Sequence, residues 1–203
     1  MKKILVLSIF ATLLSCNKDD GEQENIIIEI SDGIGINSQS QMKGHTNGDS
    51  IEFSVDLGHQ LGTGRLSTSS NDKYYYSYLS GFEASDNSSF SIAIGSVLKD
   101  NANEIPSRNE YNTLFDKTNY QFIDIRENFA VVNYTDASGT EWTSFDLKQP
   151  ENSTFQLEDY EERLSFGDTI TKVFAKFNCT LYNQNDDSLV ITDGVFVNSY
   201  FFQ

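Results

Sequence analysis

The chain has only two histidines, His45 and His59, and two cysteines, Cys16 and Cys179, so the side chains that most often carry catalysis are scarce. A catalytic zinc takes three protein ligands, commonly with His-Glu-x-x-His spacing, and neither histidine has a second ligand near it in sequence. His59 lies in Asp56-Leu57-Gly58-His59-Gln60-Leu61-Gly62, which reads as a strand end running into a solvent-facing glycine loop. No Gly-x-Ser-x-Gly elbow and no phosphate-cradling loop occurs. Glu158, Asp159, Glu161 and Glu162 are numerous enough for glycoside hydrolysis. That chemistry needs two carboxyl groups about 5 or about 6.5–9.5 Å apart, and sequence cannot pair them across strands. A chain with 30 acidic residues also produces such clusters by chance. A non-catalytic protein is therefore favoured, and a carbohydrate-active or other hydrolase using an acidic pair is the alternative. No catalytic residue, cofactor or metal ligand is assigned.

The stretch most suggestive of recognition is Lys73-Tyr74-Tyr75-Tyr76-Ser77-Tyr78. In a strand, Tyr74, Tyr76 and Tyr78 share one face. Exposed, they would form a flat, hydrogen-bonding aromatic platform for a glycan or a protein partner. Turned inward, they would form a core stripe with hydroxyls at its rim. Trp142, the only tryptophan, is open to the same two readings. The turn Asn183 to Ser188 begins like a calcium loop, with Asn183, Asn185 and Asp187 alternating. It then has Ser188 where the required glycine belongs and Gly194 in place of the closing glutamate, so it is no EF-hand.

The elements that must position these residues alternate with period two. Ile51, Phe53, Val55 and Leu57 are spaced by polar residues, and Phe90, Ile92 and Ile94 alternate with the small residues Ser91, Ala93 and Gly95. Phe129–Thr135 and Glu141–Leu147 flank Asp136-Ala137-Ser138-Gly139, a hairpin signal. Val173–Tyr182 and Leu189–Phe196 flank a second, polar turn. Further strands are expected at Asn25–Ile30, Lys73–Leu79, Tyr120–Arg126 and Thr154–Glu158, with one weak helical piece at Ser107–Lys117. About ten short strands with little or no helix predict a single antiparallel all-β sandwich over residues 25–203, with a closed β-barrel as the alternative. Cys179 alternates with Val173, Ala175, Phe177 and Leu181, which places it on the apolar face of its strand.

The N-terminus has a different character. Met1-Lys2-Lys3 is followed by an apolar run from Ile4 to Leu14, too short to cross a bilayer as a helix but the right length for a signal-peptide core. Leu13-Leu14-Ser15-Cys16 resembles the lipobox of bacterial lipoproteins. The resemblance implies cleavage after residue 15 and attachment of acyl chains, palmitate among them, to Cys16. Two or more such chains hold a protein stably at a membrane. Residues 16–24 would then be a lipidated cysteine and an acidic tether. The acidic cluster also resembles the export signal of surface-displayed lipoproteins of Bacteroidota. Loss of Lys2 and Lys3 with the leader takes the net charge from −16 to −18. Such a surface repels nucleic acid, so none is expected as partner.

Residues 173–202 resemble the closing segment of a family of Bacteroidota outer-membrane lipoproteins of unknown function, at Phe177, Leu181, Ile191, Thr192, Gly194 and Phe196. The resemblance implies an all-β fold and an outer-membrane, lipid-anchored, surface-exposed location, and carries no catalytic residue. Lys176 stands where that pattern has glycine. Gly194 suits a bulge or a left-handed backbone beside Phe196. Asp49-Ser50-Ile51, Asp168-Thr169-Ile170 and Asp187-Ser188-Leu189 each resemble the O-glycosylation acceptor of the same bacteria, and each also reads as an ordinary strand start.

Overall fold

A computed structural model describes residues 33–116, 118–122, 128–145, 149–165 and 168–202. The leader, Cys16, the acidic tether and the Asn25–Ile30 strand lie outside the described residues, as do residues 123–126 of the Tyr120–Arg126 strand and residues 146–147 at the end of Glu141–Leu147.

The chain forms β1 (Gln41–Thr46), β2 (Asp49–Ser54), β3 (Gln60–Ser70), β4 (Lys73–Glu83), β5 (Ser89–Lys99), α1 (Arg108–Asn112), β6 (Asn119–Tyr120), β7 (Phe129–Thr135), β8 (Glu141–Thr143), β9 (Thr154–Ser165), β10 (Asp168–Tyr182) and β11 (Ser188–Phe201). The strands pair antiparallel in one sheet, ordered β2-β1-β11-β10-β8-β7-β5-β4-β3, with β9 on β10 and β6 on β9. The two ends of that path, β2 and β3, do not pair, so the sheet is not a closed barrel. It doubles over instead, as a sandwich. The Tyr200 hydroxyl on β11 donates to the Ile92 carbonyl on β5 at 3.1 Å, and Ser80 Oγ on β4 donates to the Ser199 carbonyl at 2.7 Å.

Local chemistry sets the turns. Asn47 and Gly48 between β1 and β2 both have positive φ, and so do Asn71 and Asp72 between β3 and β4. Two left-handed residues in a two-residue loop match the twist of the flanking strands, and asparagine, aspartate and glycine tolerate that backbone best. The expected strand over Ile51 to Leu57 stops at Ser54. There Ser54 Oγ accepts from the Leu57 amide, a 3-10 turn covers Val55–Leu57, and Gly58 closes it at φ 77°.

The layers meet over an aromatic core. Phe177 on β10 lies between Phe90 on β5 and Phe155 on β9, both at 6.0 Å and close to parallel, and Phe196 contacts Phe82 and Phe90. Such pairs add roughly 0.5–1.5 kcal/mol beyond the area they bury. Cys179 is buried in this core, as its alternation predicts. The helix α1 is fixed by its own cap. Ser107 and Glu110 form a reciprocal capping box, and Tyr111 is driven into the core, where its hydroxyl donates to the Tyr200 carbonyl at 3.0 Å.

The Ile191–Phe196 motif has a packing explanation. The register of β10 and β11 shifts between Phe177 and Cys179, and Asp193 takes φ 52° with its amide donating to Asn178 Oδ1 at 2.9 Å. The left-handed residue is thus Asp193. Gly194 is required for a different reason: a Cβ there would meet the Phe177 ring at 2.6 Å and the Phe177 carbonyl at 2.7 Å.

Candidate binding site

The tyrosine platform is not a surface. Tyr78 is 0% exposed, Tyr76 is buried, and Tyr74 is half-buried against the same core. Alternation does put the three on one face of β4, but that face is the inner one. The outer positions are Tyr75, Ser77, Leu79 and Gly81, and the bulkier set fills the interior. Tyr78 packs edge-on against Tyr111 at 4.6 Å, and burial pushes its hydroxyl up to about 12. Tyr76 lies under the Arg65 guanidinium at 5.7 Å. Tyr76 and Tyr78 are therefore core residues rather than ligand contacts.

The carboxylates of β9 separate as well. Arg163 pairs with Glu161 at 2.6 Å and Arg108 with Glu162 at 3.6 Å. Glu158 and Asp159 sit at a register shift opposite Phe174 and line an open groove of about 720 Å³ with the Gly33–Ser38 loop. Asp159 Oδ1 accepts from the Tyr160 amide at 2.8 Å, and both side chains are exposed to water. A glycosidase acid is kept protonated by an apolar pocket, which neither of these two exposed residues occupies. His59 is a structural side chain rather than a loop tip: it is half-buried, its Nδ1 accepts from the Ser54 amide at 3.2 Å, and its ring packs on Phe53 at 5.2 Å. In the Asn183 turn, Asn183 Oδ1 accepts from the amides of Asn185 and Asp187, so the oxygen a cation would need is holding the turn. Of the three acceptor-like sites, Thr169 is buried, while Ser50 and Ser188 are exposed at strand starts.

Trp142 has a different setting. It is half-buried on β8, opposite Tyr134 on β7, and its indole Nε1 donates to Asp136 Oδ2 at 3.1 Å. The other Asp136 oxygen accepts from Ser138 N, Ser138 Oγ and Thr140 N, so one carboxylate shapes the turn and fixes the indole. The Ser138 hydroxyl is the main reason its acidity is strengthened, with Trp142 and the two amides adding to it.

Beside Trp142 lies an open cleft of about 750 Å³, walled by β5, β7 and β8 on one side and by Tyr182, Asn183 and Gln184 on the other. Phe145 projects into it and is 49% exposed. Thr143 Oγ1 donates to Asn133 Oδ1 at 2.9 Å, orienting the Asn133 amide. A smaller hollow of about 360 Å³ shares Glu141, Asn183 and Gln184 with the cleft and runs on between the tips of the two hairpins. Among the described residues no basic side chain lines either hollow, and Glu141 is the only acidic one. Asn133, Phe145 and Gln184 were invisible as a group in the sequence, because two separate hairpins bring them together. No protein-family model matches the chain, and no curated protein or solved structure is significantly similar to it.

Proposed function

We propose that this chain is a bacterial outer-membrane lipoprotein, held by acyl chains on Cys16 and displayed at the surface, whose β-sandwich acts as a non-catalytic binding module. The address is supported by Lys2-Lys3, the apolar run, Ser15 and Cys16 falling in register, and by the acidic tether that follows. The binding role is supported by one observation above others: a solvent-open cleft on the outer face of β5, β7 and β8 where an exposed phenylalanine and the side-chain amides of Asn133 and Gln184 come together. The water-facing carboxylates of β9 give no reason to prefer a hydrolase. Metabolic labelling with a radioactive fatty acid tests the anchor. The wild-type chain takes up label and sediments with outer membranes, and Cys16→Ala loses both. A Cys16→Ala chain that stays labelled and membrane-bound refutes the address.

A further inference from the structure

We infer that the Trp142 cleft is the binding site for a neutral oligosaccharide, an assignment that rests on the binding-module reading and gives its ligand a chemical class. Charge narrows the class first. Among the described residues Glu141 is the only ionised side chain lining the cleft, and Asp136, Asp186 and Asp187 stand in the two turns beside it. An anionic polymer would be repelled there, the chain carrying a net charge of −18 once Lys2 and Lys3 leave with the leader. A basic peptide would need several carboxylates lining the groove, and among the described residues Glu141 alone does so.

The remaining lining suits sugar hydroxyls. Side-chain amides donate and accept together, as a hydroxyl partner requires. Asn133 has its carbonyl satisfied by Thr143, which leaves its NH₂ for a ligand, and Gln184 makes no side-chain hydrogen bond among the described residues. Phe145 offers an apolar face to the C–H side of a sugar ring. Trp142 packs on the core from the opposite face of β8, and its hydrogen bond to Asp136 fixes the turn that ends the β7–β8 wall. The smaller hollow continuing between the hairpin tips would accommodate further residues of a chain.

The test is affinity electrophoresis of the full, detergent-solubilised protein through gels containing amylose, mannan, xylan, a β-glucan, polygalacturonate or oligolysine. At least one neutral polymer retards the wild-type protein, and polygalacturonate and oligolysine do not. Phe145→Ala and Gln184→Ala, both at exposed positions, weaken that retardation tenfold or more while the melting temperature stays unchanged. Retardation by polygalacturonate or oligolysine alone overturns the inference. So does neutral binding that both variants keep within twofold, and so does no retardation by any polymer. Each of those results leaves the envelope address standing, since fatty-acid labelling reads that separately.

Discussion

Gly194→Ala places a methyl group where the structure has no room for one. The added Cβ would lie 2.6 Å from Phe177 Cζ, 2.7 Å from Cε2 and 2.7 Å from the Phe177 carbonyl oxygen. The ring cannot swing clear, because Phe90 and Phe155 hold its two faces at 6.0 Å. The backbone at Gly194 does not have positive φ, so alanine suffers no dihedral penalty there and the cost is the collision itself. Overpacking of this kind costs about 1–3 kcal/mol. Replacing glycine also restricts the unfolded chain, which returns about 0.4–1 kcal/mol. The net loss is roughly 1–2 kcal/mol, or a drop of roughly 2–8 °C in melting temperature for a protein of this size. Phe177→Ala alone should cost about 3–5 kcal/mol. In the double variant the ring collision is gone and only the carbonyl contact remains, so the two losses should add to less than their sum by about 1 kcal/mol. Urea denaturation of the four proteins measures this cycle. Strict additivity, or a neutral Gly194→Ala, would refute the close-approach explanation of the Ile-Thr-x-Gly-x-Phe motif.

Three further outcomes follow from named contacts. The Lys99 ammonium, 2.7 Å away, and the Ser107 hydrogen bonds hold Glu110 down at about 2, against an ordinary 4.5. A depressed carboxylate stabilises fully above its unfolded value. That contribution should therefore fade as the pH falls from about 4.5 towards 2, and Glu110→Gln should flatten that limb of the stability curve. Because the side chain is 40% exposed, screening limits the effect to about 1 kcal/mol or less. Ser107→Ala, which removes the N-cap, should cost about 0.5–2 kcal/mol in urea titrations; no change would mean the box does not hold α1. Burial in an apolar strand face pushes the Cys179 thiol far up, so native protein should resist a thiol reagent that labels it promptly in urea. Equal labelling rates in both conditions would contradict the core placement.

The period-two pattern was enough to read most strands and both polar hairpins, because apolar residues on one sheet face must recur at that spacing. β3 escaped because Gly62, Gly64 and a run of serine and threonine look like a loop, yet an edge strand paired only to β4 needs little side-chain burial. β1 escaped for a related reason: Gly44 interrupts its apolar pattern, and a Cβ there would crowd Ile191 and Thr192 at 3.3 Å. Alternation grouped Tyr74, Tyr76 and Tyr78 correctly without saying which face is inside. That is decided by what the opposite layer brings, here Tyr111 and the aromatic residues of β10 and β11. The cleft was not legible, because its side chains come from alternate positions on β7 and β8 and from the separate β10–β11 turn, so spacing along the chain carried no signal.

Phe145 lines the cleft and is 49% exposed, so a loss confined to its replacement reports on the cleft. Calorimetric titration with the neutral oligosaccharide that binds the protein should give a dissociation constant at least tenfold weaker for Phe145→Ala than for the wild-type chain. Equal dissociation constants would place the ligand elsewhere on the sandwich and contradict the account.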